Sequence, residues 1–194
     1  FAVATIGENG VENASVVAGI NNGTIEQVAI ETGGKITAKN AAGFAIENNG
    51  TIENSYITST ALVSNNASAG IVISNNAGAT IGYVFANANL SSSMFDKASI
   101  AINSNGTITH THGVMGALFV KNDTSIVTTN DNSSIAASDL YVQSIFNDWN
   151  FNDIWYMTSG SYPMLQVTNK TSSVSAQSID LFADGETTCE HIVY

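Results

Sequence analysis

Two histidines stand two residues apart in His110-Thr111-His112. On an extended strand that spacing puts both imidazoles on one side, where they could hold Zn²⁺ or Cu²⁺. No third ligand stands beside them in the sequence. Cys189 and His191 repeat the spacing in the C-terminal tail and add ligands only if that tail folds back. Asp123, Asn130 and Asp131 offer oxygen donors for Ca²⁺ but lack the regular spacing of a dedicated calcium loop. A glycoside hydrolase needs two carboxyl groups about 5–9.5 Å apart. Asp148 with Asp153, and Asp180 with Asp184, are the nearest pairs, and no Asp-Asp dipeptide occurs. Glu26 and Glu53 fall at matching places in a repeat. The plainer reading of each group is a solvated polar face, so the expected set of sites holds no catalytic residue, no cofactor and no metal.

Asparagine supplies the other chemistry. Nine Asn-x-Ser/Thr sequons are candidate N-glycosylation sites: Asn13, Asn22, Asn49, Asn66, Asn89, Asn105, Asn122, Asn132 and Asn169. Chance alone would give about five at this Asn, Ser and Thr content. Part of the excess follows from a recurring Asn-Gly-Thr turn. In a secreted protein, glycans on these corners would stand in a row.

Composition narrows the classes. The 194 residues carry five Lys, no Arg and sixteen acidic residues, for a formal net charge of −11. Phosphate-binding clusters are missing, which argues against nucleic acid and against an anionic membrane surface. No apolar run approaches the ~20 residues of a membrane-spanning helix. Cys189 is the single cysteine, so no disulfide framework holds the chain. The first residue is Phe1, as expected of a processed protein or a piece of a longer one.

The elements that must position these groups repeat. Gly19-Ile-Asn-Asn-Gly-Thr-Ile25 returns as residues 43–52, 70–81 and 99–108, with a worn copy at 130–135. The closing isoleucines, Ile25, Ile52, Ile81, Ile108 and Ile135, set a period of 27–29 residues. Each copy reads as a short alternating strand, an Asn-Gly turn that tolerates positive φ, and a second strand with Ile turned inward. Equal units of this kind predict an all-β fold, a parallel β-helix with rungs about 4.8 Å apart. The isoleucines would line one interior column. Asn22, Asn49, Asn76 and Asn105 would stack as an amide ladder. Low charge follows, because like charges at rung spacing repel. Residues 1–143 are expected to form the solenoid and 144–165, with both Trp, an aromatic C-terminal cap. Residues 166–194 read as a polar tail or exchanged strand. Residues 136–145 are the nearest candidate for helix.

The phrase from Ala42 to Tyr56, Ala-Gly-Phe-Ala-Ile-Glu-Asn-Asn-Gly-Thr-Ile-Glu-Asn-Ser-Tyr, resembles the GLUG repeat of secreted and cell-surface proteins. The stretch from Trp149 to Leu165 resembles the segment that closes such arrays. The resemblance spans roughly residues 1–165. It implies a β-solenoid scaffold in adhesins and large surface proteins, and it carries over no catalytic residue.

The expected function is therefore a non-enzymatic extracellular or cell-surface module, structural or adhesive, with glycan or a neighbouring surface protein as partner. Tyr56, Tyr83 or Phe85, where exposed, would be its stacking platforms, although such aromatics are more often buried. Two alternatives stand beside it. One is a subunit of a head-to-tail extracellular filament joined through its end strands. The other is a polysaccharide-active β-helix enzyme.

Overall fold

The computed structural model describes residues 5–8, 10–31, 33–92, 96–114, 116–122 and 131–169. Asp123, Asn130, Asp180, Asp184, Cys189, His191 and the tail beyond 169 lie outside them, as do the side chains of Asn122 and Asn169.

The repeat folds as a parallel β-solenoid of about four turns. Ile25 pairs with Ile52, Ile52 with Ile81 and Ile81 with Ile108, in register along one side. These side chains point inward. Ile52, Ile81 and Ile108 are fully buried, in one cluster with Ile36, Leu62, Phe44 and Ile71. Each such burial stabilises the stack by roughly 1.5–3 kcal/mol. A second side stacks residues 18–21, 45–48, 72–75 and 101–104. A third stacks residues 35–38, 61–64 and 89–92.

The corners are set by small residues. A Cβ on Gly43 would lie 2.1 Å from the Gly70 carbonyl oxygen, and one on Gly70 would lie 2.2 Å from that of Ser99. Only a bare backbone lets these rungs approach so closely. The third coil is two residues longer because its turn reads Asn-Ala-Gly-Ala. Gly78 takes φ of 85° there, and the Ala79 N–H closes the turn on the Asn76 carbonyl at 3.0 Å.

The last coil is cut short. Ala101 pairs with Phe119 and His112 with Ser133, so the chain skips the third side. Ile135 consequently does not extend the isoleucine column. It follows a strand laid on His112 and Gly113, and it packs into a separate aromatic cluster. The worn copy lacks the Gly-Thr-Ile that would have placed it over Ile108. Among the described residues, a side chain meets the Ile108 edge. Asn132 donates to the Ile108 carbonyl at 2.9 Å and accepts the Thr111 N–H at 3.0 Å. One amide thus satisfies two edge groups that a further strand would have paired.

Residues 137–141 and 143–145 form two short 3-10 helices where helix was expected. The aromatic segment then packs along the flank of the coils. A small antiparallel pair, Trp155–Tyr156 with Met164–Leu165, organises it, and Gln166–Asn169 adds a helical turn.

Candidate functional site

The stacked coils bring Tyr56, Tyr83, Phe85, His110 and His112 to one flank. At one bend in each coil a residue adopts the left-handed conformation: Gln27, Asn54, Tyr83 and His110, with φ between 47° and 53°. Non-glycine residues seldom adopt it. Here it breaks the alternation of the strand. Ile52 and Ser55 are buried on the core side, whereas Tyr56, Phe85 and His112 in register with it, and the bend residues Tyr83 and His110, face the flank. His110 and His112 therefore do share a side, and they join Tyr83 and Phe85 there.

Two aromatic rows result. Tyr56 stacks on Phe85 with ring centroids 4.8 Å apart and 7° between planes, and the register continues to His112. Tyr83 stacks on His110 at 4.5 Å. The aromatic segment covers both rows. Trp155 lies against Tyr56 and Phe85, Trp149 against Tyr83, Phe85 and His112, and Phe146 against Phe85 and His112. Tyr56 and Phe85 are thereby buried and Tyr83 half-buried. The expectation of exposed stacking platforms is corrected at these positions: the protein uses its own tryptophans as the partners. The indole N–H groups of Trp149 and Trp155 are enclosed with no acceptor among the described residues.

Glu31 latches the far edge of this cover. Its Oε1 accepts the hydroxyls of Tyr56 at 2.5 Å and Tyr162 at 2.8 Å. Burial, and then the bond to this carboxylate, raise the pKa of both phenols above the ordinary value.

The two histidines take different partners. His110 Nε2 lies 3.4 Å from Asp131 and 3.8 Å from Asp148, and its Nδ1 is 2.6 Å from the Thr109 hydroxyl. His112 is 4 % exposed, with Nδ1 2.8 Å from the Ser133 hydroxyl. Burial pushes its pKa down to about 4, helped by neighbouring His110. Among the described residues no group of three or more His, Cys, Asp and Glu is placed to hold a metal ion. Asp153 holds an exposed turn through Asn150, at 3.2 Å, while Asp148 faces His110. Glu26 and Glu53 are neighbours in register, as their matching repeat positions implied.

Among the described residues the asparagines form three ladders rather than one. The exposed ladder runs through Asn22, Asn49 and Asn76 at 2.9 and 2.6 Å. Asn105 joins that corner through its backbone N–H, 2.8 Å from the Asn75 carbonyl. A second ladder links Asn13, Asn40 and Asn66 at 2.8 and 2.6 Å. The third is buried: Asn21 donates to Asn48 at 2.7 Å, and Asn48 to Asn75 at 2.8 Å. At this corner the first residue of each Asn-Asn pair (Asn21, Asn48, Asn75) faces inward and the second (Asn22, Asn49, Asn76) outward. Strand alternation carried that signal, although the turn drew attention to the second Asn alone.

No family model matches the chain, and no curated protein and no solved structure matches it. The likeness to GLUG repeats accordingly rests on the motif residues themselves.

Proposed function

We propose that this chain is a non-enzymatic structural and adhesive module, outside the cell or on its surface, built on GLUG-type repeats. The observation that supports the reading is the pair of outward amide ladders, Asn22–Asn49–Asn76 and Asn13–Asn40–Asn66. They give the solenoid stiff polar corners whose cohesion does not depend on charge. Such a surface presents regularly spaced donors and acceptors to a glycan or to a neighbouring surface protein. The flank that could have held a deep ligand pocket is filled by Trp149, Trp155 and Phe146.

The test is an array of glycans and extracellular proteins probed with the purified chain. Binding that is lost on substituting Asn40 and Asn49 together, with the melting curve unchanged, supports the reading. No binding across the array, or turnover of any polysaccharide in the same panel, sinks it.

A second reading, a filament subunit, draws on the first coil. Its strands Ala18–Asn21 and Thr24–Glu26 pair on one side only among the described residues, and Val17 and Ile20 are exposed beside them. Against it stands Asn132, which already occupies part of the opposite edge. Rods that lengthen with concentration in electron micrographs would favour the filament.

A further inference from the structure

The nine sequons are equal in sequence and unequal in the fold. N-linked sugar attaches at the side-chain nitrogen, so the use of that nitrogen separates them. At Asn49, Nδ2 donates to Asn22; at Asn66 it donates to Asn40; at Asn132 it donates to the Ile108 carbonyl. Asn13 and Asn22 are the ends of their ladders and only accept along them. Each has an Asn one rung away, about 4.8 Å above, where a sugar would crowd the next amide.

Asn89 and Asn105 differ from all of these. Both are exposed, and neither amide enters a ladder. Asn89 pairs in register with Ala61, so its neighbouring rung offers a methyl group rather than an amide. It also lines an open groove with Ser59, Asn87 and Ala88. Asn105 also has an Asn one rung away, Asn76, because Ser104 pairs with Asn75. But it follows the two-residue insertion in the preceding coil, its backbone N–H alone holds it to the Asn75 carbonyl, and among the described residues no amide hydrogen bond joins it to Asn76.

We infer that the fold admits N-linked sugar at Asn89 and Asn105 and excludes it at Asn132. The inference rests on the extracellular reading for its biological use, though its geometry does not depend on that reading. Transfer of sugar to a nascent chain precedes folding, so the exclusion acts through folding. A sugar on Asn132 would occupy the nitrogen that closes the Ile108 edge, and such chains would fail to reach the native state.

The experiment is expression of the full chain through a eukaryotic secretory pathway, with glycopeptide mapping of folded protein from the medium or, failing secretion, from the cell. Occupancy of Asn89 and Asn105 in most molecules, with Asn132 bare, is expected. Asn132→Gln should lower the melting temperature by several degrees even in unglycosylated protein made in bacteria, whereas Asn89→Gln and Asn105→Gln should leave it unchanged. Sugar on Asn132 in molecules that melt with the unglycosylated protein would overturn the inference. So would bare Asn89 and Asn105, or an Asn132→Gln protein that melts like wild type. Mapping of material from the native source separately tests the extracellular reading, since a chain bare at every sequon there would count against location while the heterologous result still decides the geometry.

Discussion

Replacing Asn48 by Ala should destabilise the protein far more than replacing Asn49, although the two are adjacent and both sit in amide ladders. Asn48 is fully buried. Its Oδ1 accepts from Asn21 Nδ2 at 2.7 Å and from the Gly50 N–H at 3.3 Å, and its Nδ2 donates to Asn75 Oδ1 at 2.8 Å. Truncation takes a partner from Asn21, the Gly50 N–H and the Asn75 oxygen, and also ends the longer 3.3 Å contacts of Nδ2 with the Gly50 and Thr80 carbonyls. Asn21 keeps a bond to the Thr51 carbonyl at 3.0 Å, so its loss is partial. The Gly50 N–H and the Asn75 oxygen lose their partners in a place water reaches poorly. At about 1–3 kcal/mol for each stranded group, the change totals about 2–6 kcal/mol. That is a large part of the 5–15 kcal/mol typical of a folded domain. Asn49 is exposed, and water replaces its ladder bonds, so Asn49→Ala should cost less than about 1 kcal/mol. Urea denaturation followed by circular dichroism gives both values, with the slope checked for two-state behaviour. Equal losses for the two variants, or a larger loss for Asn49→Ala, would refute the division into buried and exposed ladders.

Three more predictions follow from the same packing. Gly70→Ala should prevent the third and fourth coils from closing, because the new Cβ would sit 2.2 Å from the Ser99 carbonyl oxygen; Gly19→Ala, with nothing within 4 Å, should be nearly silent in thermal melts. Stability should fall with acid through His112. Its pKa is depressed to about 4 from 6.5, so the unfolded chain takes up a proton that the folded one refuses, and about 3 kcal/mol should be lost as pH falls through that window. The groups facing it are His110 and Asp131, and His112→Phe should flatten that part of the stability–pH curve. Tyr162→Phe removes the hydroxyl that donates to Glu31 at 2.8 Å and should cost about 1 kcal/mol, with a change in near-UV dichroism from the tryptophans as the check.

The solenoid was legible because its signal is periodic. Four isoleucines, each directly after Thr and three of them in Asn-Gly-Thr-Ile, leave little freedom in register, and Ile25 to Ile108 pair as spaced. The period failed at Ile135, where the repeat had lost the residues that make the turn. Among the described residues, the Asn132 amide meets the Ile108 edge, a contact across 24 residues that no local pattern announces. The lateral cover was hidden for a similar reason. Tyr56, Phe85 and His112 share a column, but the sequence does not say which later aromatics lie on it. The recurring left-handed bend was hidden too, because Gln27, Asn54, Tyr83 and His110 have no side-chain chemistry in common. That bend decides whether His110 faces the core or the flank, and hence which partners it meets.

Immunogold labelling of intact, unpermeabilised cells that make the chain tests the extracellular module most directly. Gold on the outer surface or on material shed from it is the predicted result. Label that appears only after the cells are permeabilised would contradict the account.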